Sequence, residues 1–145
     1  MLIHLKHVLA HREPLQGQCK IEISSRLPVF LQEPCQLDCA YQIIAEQDYY
    51  VLTMHLQGQL QCVCQRCLQV FQQGYDNTIR IAICTTELRA EQLMRDYECI
   101  VVPDGRCELE TIALDELYFS APSSHPQRDD CDAHIMEFLG KRLGI

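Results

Sequence analysis

The stretch that decides the fold is YVLTMHLQGQLQCVC, residues 50–64. Leu52, Met54, Leu56, Leu60, Cys62 and Cys64 fall on one face, with Gly58 among them. Thr53, His55, Gln57, Gln59 and Gln61 fall on the other. A period of two over this length predicts a long, half-buried strand, with a bulge most readily placed at Gly58.

Flanking segments carry the same pattern. Cys35–Glu46 before it and Val70–Cys84 after it read as strands, and Ile79, Ile81 and Ile83 share a face of the latter. Gln47-Asp48 and the Cys64–Cys67 segment are then the two turns of an antiparallel meander. Further on, CIVVPDGRCEL suggests another hairpin turning at Pro103-Asp104-Gly105.

Helices are fewer. Glu87–Arg95 predicts a short one, with Thr85 or Thr86 as N-cap. Leu109, Ile112, Ala113 and Leu117 follow helical spacing, in an amphipathic helix that Pro122 ends. After it, PSSHPQRDDC reads as loop, and DAHIMEFLGKRLGI as a last short helix capped by Asp132. The fold class expected is α+β, an antiparallel meander, open or curled toward a barrel, with two or three short helices. Residues 1–145 make one domain, with 123–145 as a candidate mobile tail. The N-terminal segment reads ambiguously; were it helical, His4, His7 and His11 would share a face. A solvated polar face explains that spacing as well as a metal does.

Composition narrows the function classes. The hydrophobic fraction of 48% supports a core without staples. MLIHLKHVLAHREP lacks the uninterrupted apolar run of a signal peptide, which implies a cytoplasmic, reducing setting. The ten cysteines are then thiols or thiolates, most of them small core hydrophobes. The net charge of −8 is uneven: residues 1–75 hold five Lys/Arg against six Asp/Glu, and residues 76–145 hold seven against fourteen. The acidic half should repel a phosphate backbone and suits a basic protein partner. Direct RNA contact would fall to Lys6, Arg12, Lys20, Arg26 and Arg66. Neither a Gly-rich phosphate loop nor a G-x-S-x-G or H-E-x-x-H motif is present, and no catalytic residue is assigned.

The chemistry concentrates in LQCVCQRCLQVF, residues 60–71. Cys64-Gln-Arg-Cys67 has the C-x-x-C spacing of a metal knuckle, and a tetrahedral zinc needs two further ligands. The tail offers Cys131 with His125, or His134 as the alternative fourth ligand, provided that it folds back on the meander. A structural knuckle of packed thiols is the competing reading. A redox pair fits poorly, because the motif lies between antiparallel strands and not at a helix N-terminus. Cys62 shares the face of Cys64 and is expected in the core.

The order of parts resembles the YceD family of bacterial proteins. The resemblance rests on Cys64-Gln-Arg-Cys67 followed by Phe71, the acidic helix ELETIALDEL at 108–117, Pro122, and then His125 and Cys131, and runs over roughly residues 35–131. Some relatives end in a fuller C-x-x-C, where this chain has Cys131-Asp-Ala-His134. The resemblance implies a non-enzymatic ribosome-biogenesis factor acting in the accumulation of 23S rRNA. Its partners would be pre-ribosomal large-subunit components, 23S rRNA or a basic ribosomal protein. Candidate contact residues are Arg66, Asp115 and Glu116, with Asp129 and Asp130. The alternative function is a metal- or thiol-dependent enzyme or chaperone using Cys64 and Cys67.

Overall fold

In the computed structural model, which describes residues 1–11 and 13–131, the chain builds two open sheets and three α-helices. The large sheet has the order β2-β3-β4-β5-β6, from Leu15–Ile23, Cys35–Ala45, Tyr50–Val63, Val70–Cys84 and Glu98–Val101. The small sheet pairs β1 (Leu2–His4) with β7 (Arg106–Glu108). The helices are α1 (Leu5–His11), α2 (Glu87–Leu93) and α3 (Leu109–Ser120). The class is α+β. The large sheet does not close, so a barrel is excluded. The expected helix beyond Asp132 lies outside the described residues.

The alternation in β4 sets the inner face. Leu52, Met54, Leu56, Leu60, Cys62 and Cys64 are all buried there. Burying each of the larger side chains contributes about 1.5–3 kcal/mol. The first five pack beneath Leu5 and Val8 of α1 and Leu109, Ile112, Ala113 and Leu117 of α3, while Cys64 belongs to a separate cluster at the end of the strand. The outer face of β4 stays polar, and His55 and Gln57 both hydrogen-bond Asp76 on β5.

No bulge interrupts β4. Its register with β5 is continuous from Tyr50↔Ile83 to Val63↔Val70. Gly58 serves a different purpose. Pairing with β3 ends at Asp38↔Gln57, and the β3 backbone then passes over the glycine. A Cβ at Gly58 would sit 2.8 Å from the Gln36 carbonyl oxygen and 2.9 Å from Leu37 Cδ2. Beyond it, residues 30–32 replace β3 as the neighbour of β4, through Val63 N–H to Phe30 O and Gln32 N–H to Gln61 O.

One expectation for 85–108 is corrected. The Pro103-Asp104-Gly105 turn forms, with Gly105 at φ 71° and Arg106 N–H donating to Asp104 Oδ1. It joins strands of different sheets, however, and no hairpin results. β7 is claimed by β1, and β6 lies parallel to β5. The meander is therefore antiparallel only as far as β5. The reason is that α2 intervenes as a crossover, which delivers the next strand in the same direction. Thr86 caps α2, its Oγ1 accepting from Arg89 N–H. Ala90 and Leu93 pack on Ala82 and Cys84, on the sheet face opposite α3. Residues 81–84 are thus buried on both sides. At the N-terminus, His4 belongs to β1 and His7 to α1, so the three histidines do not share one helical face.

Gly58→Ala should lower stability by about 1–3 kcal/mol, because the contact is with backbone that cannot step aside. Gly74→Ala, whose Cβ would find only Gln59 Nε2 at 3.7 Å, should cost clearly less in the same urea-denaturation measurement.

Candidate metal centre

Four elements converge at the tip of the β4–β5 hairpin. Cys64 ends the inner-face alternation of β4, and Cys67 completes the turn that leads back into β5. The turn is held by Leu68 N–H to Cys64 O, at 2.7 Å, and Cys64 N–H to Gln69 O, at 2.9 Å. Leu68 follows the second cysteine at φ 63°, a left-handed conformation that glycine adopts more cheaply.

The other two residues arrive from the end of α3. Tyr75 and Asn77 on β5 reach Ser120 and Glu116, at 2.5 and 2.6 Å, and anchor the C-terminal turn of the helix. From there the chain runs toward the tip, where Gln65 N–H donates to Ser123 O. A 3-10 turn over Arg128–Asp130 then delivers Cys131. Cys64, Cys67, Cys131 and His125 end within 4.8 Å of one another, with all three cysteines buried.

The spacing suits a tetrahedral ion. Zinc bound at ~2.3 Å to sulfur and ~2.0 Å to nitrogen sets S···S edges of about 3.8 Å and S···N edges of about 3.5 Å. Cys64 Sγ and Cys131 Sγ lie 3.8 Å apart. His125 Nδ1 lies 3.5 Å from Cys67 Sγ and 3.5 Å from Cys131 Sγ. A disulfide would require sulfurs about 2 Å apart, and all three cysteines are free. The group could hold a metal such as zinc through three thiolates and one imidazole. Those four ligands complete a tetrahedron and leave no position for a substrate.

Electrostatics favour the same occupant. Burial works to raise the Cys64 thiol, but the backbone N–H groups of Cys67, His125 and Arg66 donate into its sulfur and bring it down to about 5. Burial raises Cys131, and its hydrogen bonds with Cys64 and Cys67 raise it further. Sulfurs so close cannot all ionise comfortably without a cation among them. Metal binding would release the remaining protons.

Two residues already named, Phe71 and the candidate contact residue Arg66, take supporting roles that the sequence pattern does not predict. Phe71 stacks on the His125 ring at 4.2 Å and fixes its plane. The Arg66 guanidinium donates to the His125 carbonyl and so ties the tail to the knuckle; its Nε is buried without a partner among the described residues. The aromatic after the C-x-x-C was the one sequence signal for the first, and none existed for the second.

The remaining candidates lie elsewhere. Cys62 is buried in the core, its thiol raised to about 11 by burial and by Cys35. Glu116 accepts from Asn77, and Asp115 is exposed on α3. Asp129 and Asp130 are exposed beside Cys131, and Lys6, Lys20 and Arg26 are exposed far along the chain from the cluster. Arg12 and the alternative ligand His134 lie outside the described residues. No helix among those residues is long and apolar enough to cross a membrane. No family model, curated protein or solved structure matched the chain.

Titration with Co(II) should give the thiolate-to-metal absorption and the intense visible bands of a tetrahedral site. Cys131→Ser should weaken Co(II) affinity by ~10-fold or more, whereas Cys107→Ser, at a buried position on β7, should leave the spectrum intact.

Proposed function

We propose that this protein is a non-enzymatic, cytoplasmic ribosome-biogenesis factor acting in the synthesis, processing or stability of 23S rRNA. A structural zinc ion held by Cys64, Cys67, His125 and Cys131 would lock the tail to the hairpin tip. The observation that carries the reading is a coincidence of residues. Of the positions on which the YceD resemblance rests, Cys64, Cys67, Phe71, His125 and Cys131 meet in one cluster, and the helix at 108–117 with Pro122 leads the chain to it. Together they fix a surface and leave no open coordination position.

The acidic half of the chain gives that surface its polarity. Asp115, Asp129 and Asp130 are exposed, and Glu116 is partly so. A basic ribosomal protein is the partner this charge favours. Among the described residues RNA contact would be left to Lys6, Lys20 and Arg26, because the Arg66 guanidinium is engaged with His125.

The enzyme or chaperone reading draws on one observation, the Cys64 thiol at about 5, which is the range of reactive cysteines. Against it stands the burial of Cys64, Cys67 and Cys131. Cys67→Ser separates the two. Loss of a structural zinc should loosen the tail and lower the melting temperature, because the metal's binding energy is folding energy. A thiol enzyme would lose activity and keep its fold.

Charge reversal across Asp115, Glu116, Asp129 and Asp130 should abolish co-purification with pre-ribosomal particles, and loss of the protein should lower 23S rRNA. Unchanged co-purification would sink the charge argument. Protein purified without chelator should carry a single zinc ion per chain by elemental analysis.

A further inference from the structure

β6 is the edge of the large sheet, and its outer side has no strand partner among the described residues. Val102 N–H bonds Cys84 O on the β5 side. In a parallel pair the direction of the backbone groups alternates, so those of Ile100 also face β5, while those of Cys99 and Val101 face outward. Edges of this kind invite another strand unless they are covered or blunted.

Both flanks of this edge are apolar grooves. Toward α2, Ala90, Met94, Tyr97 and Val101 line one, and Met94 is 67% exposed. Toward α3, Ile100, Ile112 and Phe119 line the other, and Phe119 is 82% exposed. A strand added to β6 would send alternate side chains into the two grooves.

Charge selects what such a strand can be. Glu87, Glu91 and Glu98 rim the α2 groove, and all are exposed. Asp104, Glu108 and Asp115 rim the α3 side, where Arg106 is the basic side chain. We infer that β6 is a docking edge for an extended, lysine- and arginine-rich segment of a partner protein, which adds to the sheet as a sixth strand. Main-chain hydrogen bonds to Cys99 and Val101 supply the alignment, and the two carboxylate rims supply the preference for basic side chains. RNA is disfavoured, because both rims repel phosphate. The edge shares Asp115 with the acidic surface proposed above and gives the basic partner a separate main-chain contact, and in that respect rests on that reading.

The test uses the full chain and a blocked peptide of alternating lysine and valine, about eight residues long. Amide NMR should place the response at Tyr97–Asp104, with the amides of Cys99 and Val101 becoming protected from exchange. Methylating alternate peptide amides should weaken binding by ~10-fold or more, as should the double variant Glu91→Lys, Glu98→Lys at unchanged melting temperature. Equal binding by the methylated peptide, a response centred on Asp129–Asp130, or no binding would each overturn the proposal. So would a single-stranded oligouridine that binds the same amides more tightly than the peptide. Peptide binding with normal 23S rRNA in cells lacking the protein would remove the biogenesis reading and leave the docking edge standing.

Discussion

The β4–β5 ladder runs without a break from Tyr50↔Ile83 to Val63↔Val70, and the rest of the structure is hung on the two ends of that hairpin. One end is the Cys64–Cys67 turn, which receives the tail. The other end of β5 is covered on both faces and continues through α2 into the edge strand β6. Because strand periodicity is rigid, a one-residue slip would turn Leu52, Met54, Leu56 and Cys64 to solvent together. The same register that builds the core therefore aims Cys64 inward, toward His125 and Cys131.

What was legible from sequence was what depends on local pattern. The alternation in 35–84 located three strands, and helical spacing with a threonine cap located α2 and α3. The C-x-x-C turn could be read as half of a metal site, and Cys131 with His125 as its complement if the tail returned. The less legible parts depend on distant partners. β2 alternates Leu15, Cys19, Ile21 and Ile23 with Gln16, Gln18, Lys20 and Glu22, a legible period of two that went unassigned, and only its pairing with β3 makes it part of the sheet. Turn chemistry at Pro103-Asp104-Gly105 was correctly seen, but it does not determine which strand β7 joins. That choice is made by β1, from the other end of the chain. Gly58 illustrates the same point: a glycine in a strand signals close approach, and whether as bulge or as contact depends on β3.

Cysteine behaviour in this chain is set by surroundings more than by residue type. Cys39, opposite Cys19 across the β2–β3 pair, is raised to about 12 by burial and by that neighbour. Cys107 is raised to about 11, chiefly by burial. These thiols behave as small core side chains. Cys64 is equally hidden, yet backbone N–H groups aimed at its sulfur reverse the direction. The difference is made by the tight turn at Cys64–Cys67 and by the returning tail, which contributes the His125 N–H at 3.4 Å.

The long sequence interval between the halves of the cluster has a consequence for biosynthesis. Cys64 and Cys67 are made early, together with the hairpin that presents them, whereas Cys131 follows only after β6, β7 and α3. A chain stopped between the end of β5 and His125 leaves two thiols at a hairpin tip with no His125 ring stacked on Phe71 and no guanidinium clasp to a returning loop. Closure of the cluster thus distinguishes an interrupted product from one whose synthesis has passed Cys131, and it does so at a point that is buried only when the later elements are in place.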